Sequence, residues 1–107
     1  MAQYDVYRNN GRDAKDFPYV VDVQYALLSD CGTRVVVPLL AAKTTKDRKM
    51  NLVDKANPVF MFGDTEVILA AHLLTAISTR DLREKVGSIA SMRSDILAAI
   101  DIVLTGI

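Results

Sequence analysis

Apolar and polar positions alternate along most of this chain and then switch, from Ser91 onward, to a helical repeat. Gln3 to Tyr7 alternates and predicts a first strand. Asn9 to Asp16 (NNGRDAKD) is polar, with Asn10-Gly11 as a hairpin signal. Phe17 to Gln24 (FPYVVDVQ) predicts a second strand, with Val21 and Val23 facing one way and Asp22 the other. The short apolar run Tyr25–Leu28 leads into a turn at Ser29–Gly32. Thr33 to Leu40 (TRVVVPLL) predicts a third strand; Pro38 cannot donate to a ladder, so the strand should end there or lie at an edge. Lys43 to Lys55 is charged and unpatterned, the profile of a solvated loop. Pro58–Phe62 and Thr65–Ala71 flank Gly63-Asp64 as a hairpin, and Leu73–Ser78 continues as a strand. Arg80 to Lys85 reads as a connector, with Val86-Gly87 leading towards the final helix.

That helix is the strongest local signal. At about 100° per residue, Ala99, Met92, Val103, Ile96, Ile100, Leu104 and Leu97 form an apolar arc roughly 160° wide. A single core face needs only about 100°, so one flank should pack on the body while Leu97 and Leu104 look elsewhere. Ile102 stands alone on the polar side. Ser91 or Ser88 is the expected N-cap, and Gly106 the left-handed residue after the end. From Asp95 onward there are Asp95, Asp101 and the terminal carboxylate but no Lys or Arg. The negative end of the helix dipole is therefore uncompensated, as though offered to a basic partner.

About six or seven short strands followed by one helix predict a mainly β fold: a partly open antiparallel barrel with a C-terminal α-helix over it. At 107 residues the chain (1–107) is expected to be a single domain. Half its residues are apolar, which predicts a real core. No apolar run approaches a membrane span and MAQYDVYRNN lacks a signal-peptide core, so no membrane partner is expected. Thirteen acidic and thirteen basic residues cancel, which disfavours direct binding to nucleic acid. The single cysteine, Cys31, rules out an intramolecular disulfide, suits a cytoplasmic setting and reads as a semi-buried thiol near a turn.

The search for chemistry returns little. His72 is the only histidine, with no second His, Cys pair or HExxH motif, and reads as a surface or hydrogen-bonded structural residue. Asp22 and Asp64 would have to converge from different strands to act as paired carboxylates. Gly63 and Gly87 are isolated, and Arg80, Asp81, Arg83 and Glu84 read as charged surface. The expectation is a binding protein rather than an enzyme, with no catalytic residue, metal or cofactor.

Several of these residues fall in a recognisable order. VDVQ (Val21–Gln24) ends the second strand, V-V-P-L (Val36–Leu39) lies in the third, and Gly63-Asp64 sits in a hairpin. RSDILAAI (Arg93–Ile100) and a terminal Gly106-Ile107 close the chain. Taken together they resemble, over essentially the whole length, the CcdB family of toxins from bacterial toxin–antitoxin modules, which serve in plasmid maintenance. The resemblance implies an SH3-like barrel with a C-terminal helix, assembled as a homodimer that poisons DNA gyrase by trapping the cleaved-DNA complex on the gyrase A subunit. It implies a CcdA-like antitoxin as second partner, with the Lys43–Lys55 loop as a possible antitoxin contact.

The implied gyrase-binding residues are Asp101, Leu104, Thr105, Gly106 and Ile107, with Tyr25, Leu27 and Leu28 as a second contact loop. Ile102, Leu104 and Ile107 are the implied dimer contacts, and Ile96, Ile100 and Val103 fall at core positions. Where the family's tail carries Trp before Gly-Ile, this chain carries Thr105. Two alternatives stay open: a MazF/Kid-like mRNA endonuclease, and a weakly toxic chromosomal homologue that mainly binds its antitoxin.

Overall fold

The computed structural model describes residues 2–43 and 56–106. Ile107 and residues 44–55 lie outside that set, and with them the expectations for the last residue and for most of the Lys43–Lys55 loop. The strands are β1 (Asp5–Arg8), β2 (Tyr19–Asp22), β3 (Thr33–Ala41), β4 (Val59–Phe62), β5 (Thr65–Leu69), β6 (Thr75–Ser78) and β7 (Lys85–Ser88). They form one antiparallel sheet in the order β4-β5-β3-β2-β1-β7, with β6 also paired to β3. The C-terminal helix, α1, spans Arg93–Thr105. The mainly β half-barrel with a C-terminal helix is thus as expected.

The strand β3 carries the architecture. One of its edges pairs β2; the other pairs β6 through Thr33–Val36 and then β5 through Leu39–Ala41. Pro38 neither ends the strand nor sits at an edge, contrary to expectation. Its carbonyl points to the β5 side, accepting from the Ala70 N–H, so its missing N–H falls where the β6 ladder has stopped and the β5 ladder has barely begun. No ladder bond is lost, because none was available there.

The sheet curls strongly. A register shift between Val6 and Tyr7 skips Val86 and bends the β1–β7 pair, as bulges do. The curl brings the outer strands β4 and β7 so close that a Cβ on Gly87 would lie 2.9 Å from the Phe62 ring. Phe62 also meets Tyr19 edge-on at 5.1 Å. The strand β7 was not expected from the sequence, and Gly87 is the reason: it interrupts the apolar run so that an aromatic ring can cross it.

The concave face holds the main core: Tyr4, Val6, Val21, Val37, Leu39, Val67, Leu69, Ile89, Ile96 and Ala99 among others. A smaller cluster of Tyr7, Val20, Val36 and Leu82 lies on the other face, with Ile77 against it. The Asn9–Asp16 segment is not a two-residue hairpin. Asn9 organises it by accepting from the Gly11 N–H and donating to the Phe17 carbonyl and the Asp13 carboxylate. Neither Ser91 nor Ser88 caps α1; the Ser88 hydroxyl accepts from the Ala90 N–H just ahead of the 3-10 turn Ala90–Met92 that leads into it.

Candidate functional site

The helix α1 lies over the main core for only part of its length. Met92, Ile96, Ala99 and Ile100 pack inward. Val103 falls on the same side of the helix by its spacing, yet it is exposed, contrary to the core position expected for it. The cause is position along the axis: every residue from Asp101 to Gly106 is exposed except Ile102, so the last turn outruns the sheet beneath it. Leu104 is 71% exposed, and Leu97 is exposed as the width of the arc required. Leu97, Ile100 and Leu104, spaced three and four apart, form one apolar line. Ile102 is half-buried rather than fully outward.

The electrostatics of the end follow from the same turn. No basic residue occupies it, and Asp101 adds a carboxylate to the negative end of the dipole. Asp95 does not belong to this charge, because it lies in the first turn, where a carboxylate is favourable. The Thr105 hydroxyl donates back to the Asp101 carbonyl at 2.7 Å, a local contact that ties the side chain to its own helix. Gly106 has φ 76° and its N–H reaches the Ile102 carbonyl at 2.9 Å, the left-handed stop the sequence predicted.

A second apolar surface stands on a different element. Tyr25 is 59% exposed, Leu27 80% and Leu28 51%, all at or just before the 3-10 segment Ala26–Cys31. That segment packs on β3, whereas α1 packs on the Ala71–Leu73 turn. The two groups of expected contact residues are therefore carried by separate parts of the fold. Cys31, at the end of the segment, is exposed rather than semi-buried.

Beneath Tyr25–Leu28 lies a polar frame built from VDVQ and β3. Asp22 and Arg34 are both completely buried and paired, with Arg34 Nη2 2.7 Å and Nε 2.8 Å from Asp22 Oδ2. Asp22 lies opposite Val36 in the ladder, so Arg34, two residues along, shares its face. The other Asp22 oxygen accepts from the Gln24 N–H at 3.0 Å, and Arg34 donates to the Gln24 carbonyl at 3.3 Å. The Gln24 side chain accepts from the Val35 N–H at 3.0 Å and donates to the Leu28 carbonyl at 2.9 Å. Sequence reasoning missed the role of this frame. The signal was present: one acid and one base, each isolated in an otherwise apolar strand, on strands that pair.

The remaining candidates do not assemble. Asp64 is exposed in the β4–β5 turn, and Asp22 is committed to Arg34, so the two carboxylates do not converge. His72 is exposed, with Nδ1 3.2 Å from the Asn57 amide, which also donates to the Leu69 carbonyl; its role there is a structural tie. In the Arg80–Glu84 connector, Leu82 is buried, while Glu84 pairs with Arg8 at 3.2 Å. Among the described residues no three His, Cys, Asp or Glu side chains gather as a metal site. No described helix is long and apolar enough to cross a membrane.

Fold and surfaces together define a class: a small antiparallel half-barrel under a C-terminal helix, with exposed apolar side chains on the overrunning helix end and on one short 3-10 segment, besides Val59 and Met61 on β4 and Leu73. The family model described as CcdB protein matches residues 3–106, and the chain belongs to the CcdB family. It is accordingly of the toxin type found in toxin–antitoxin modules. A search of curated proteins returned no match.

Proposed function

We propose that this protein, acting as one domain and as a homodimer, binds the DNA gyrase A subunit through its C-terminal tail and traps the cleaved-DNA complex. A CcdA-like antitoxin would neutralise it. The observation that carries the reading is the last turn of α1, where Val103 and Leu104 are exposed and the turn itself contributes no Lys or Arg. An isolated helix end gains nothing from such side chains; apolar surface of this kind is stabilised only when something covers it. Two copies meeting about a two-fold axis near Ile102, Leu104 and Ile107 would place two anionic, apolar ends side by side for a basic, apolar cavity. Asp101, Leu104, Thr105, Gly106 and Ile107 are then the primary contacts, and Tyr25, Leu27 and Leu28 the second. Thr105 in place of Trp removes an anchor of the kind that supplies a few kcal/mol at a hot spot, so weaker poisoning than from a Trp-bearing tail is expected.

The test is growth arrest on induced expression, compared with a chain ending at Val103. The full chain should arrest growth and the shortened chain should not, with both folded by circular dichroism. Purified protein incubated with RNA in parallel separates the nuclease alternative: RNA fragments without gyrase-dependent DNA breaks would overturn the reading.

A further inference from the structure

The second contact surface has a problem that its own side chains cannot solve. Leu27 is almost free of packing, so nothing it touches within the chain fixes its direction. The backbone of the segment must therefore supply the order. It has no N-terminal side-chain cap at Tyr25, and its helical geometry breaks at Leu28, where φ is −97° and ψ 17°. At this break Gln24 Nε2 donates to the Leu28 carbonyl, tying the segment back to β2 from the side. Gln24 is itself held at every polar atom: Asp22 takes its N–H, Arg34 donates to its carbonyl, and Val35 donates to its side-chain oxygen.

We propose that Gln24, backed by the buried Asp22–Arg34 pair, is a positioning residue that fixes Tyr25–Leu28 in the shape in which this segment meets the gyrase A subunit. The inference rests on the reading of the segment as a gyrase contact. Buried ion pairs contribute little to stability relative to apolar substitutes, but they hold geometry, which is what this frame requires. A segment ordered before binding avoids paying its ordering entropy on association. Gln24 itself is buried behind the segment, so its effect on binding must pass through the residues it holds.

The test is a double-mutant cycle on affinity for the purified gyrase A subunit, using the full-length chain. Gln24→Glu keeps the acceptor for Val35 but turns the group facing the Leu28 carbonyl from donor to acceptor. It should weaken binding by about tenfold, the scale expected from losing a preformed loop. Leu27→Asp, which removes the contact directly, should weaken binding at least as much. The double variant should be weakened by less than the product of the two single losses, because part of what Gln24 holds in place is already lost with Leu27. Losses that multiply instead would mean general destabilisation and would overturn the proposal, as would a Gln24→Glu chain that binds like the parent. Leu27→Asp binding like the parent would sink the underlying contact reading instead, and a parent chain with no affinity for gyrase A would sink the proposed function. Gln24→Met, uncharged and of similar length, runs the same cycle if Gln24→Glu fails to fold.

Discussion

Removing the guanidinium of Arg34 should be among the most damaging single changes available in this protein. In Arg34→Met the Asp22 carboxylate stays fully buried and keeps the Gln24 N–H, but it loses both contacts to Arg34, at 2.7 and 2.8 Å. Stranding one member of a buried pair typically costs about 3–5 kcal/mol, far more than a surface pair is worth. Asp22→Leu should cost a similar amount by stranding the cation. The double variant Asp22→Leu/Arg34→Met removes both charges at once. It should recover most of the loss, keeping a residual cost of about 1–2 kcal/mol from the unbonded Gln24 main chain. Urea unfolding followed by circular dichroism, at one fixed protein concentration so that any dimer contributes equally, gives the four free energies. A loss below about 1 kcal/mol for Arg34→Met would refute the burial argument. A double variant as unstable as the sum of the singles would refute the coupling.

Further consequences follow from individual packing features. The buried Tyr4 hydroxyl has no hydrogen-bond partner among the described residues, so Tyr4→Phe should stabilise the protein by about 1 kcal/mol, measured by urea unfolding. Gly87→Ala would drive a methyl into the Phe62 ring and should cost about 1–3 kcal/mol, most of it recovered in Gly87→Ala/Phe62→Leu. Burial, with the Asp5 and Asp22 carboxylates, raises the Tyr7 phenol above its ordinary value of 10.0, against an opposing pull from Arg34. Above pH 10 the unfolded chain therefore loses this proton first. Stability from Tyr7 is complete below that pH and falls as pH rises towards the folded value. Thermal melts of Tyr7→Phe from pH 9 to 11 should show a shallower alkaline decline than the parent.

Much of the architecture was legible because the strands obey simple alternation and punctuation. Gly63-Asp64 marked the β4–β5 hairpin, and the width of the helical arc foretold that Leu97 and Leu104 would lack cover. What escaped depended on contacts distant in sequence. Gly87 looks like a linker until Phe62 is seen lying against it. Pro38 looks like a strand end until the edge of β3 is seen to change partners at that point. Val103 has the periodicity of a core residue, and only the length of the sheet reveals that its turn is left exposed. Asp22 was weighed as an acid for chemistry, whereas its partner Arg34 was in view but unread, since an isolated charge in an apolar strand signals a mate across the ladder only once the register is known.

Gyrase poisoning through the C-terminal tail, as proposed, is open to a direct assay. The most direct measurement incubates supercoiled plasmid with gyrase, ATP and the purified protein, then removes gyrase with detergent and protease and counts linear DNA. The full chain should yield linear plasmid in proportion to its concentration, while a chain ending at Val103 should yield none above the gyrase-only background. Supercoiled plasmid untouched by the full chain, or equal cleavage by the shortened one, would contradict the account.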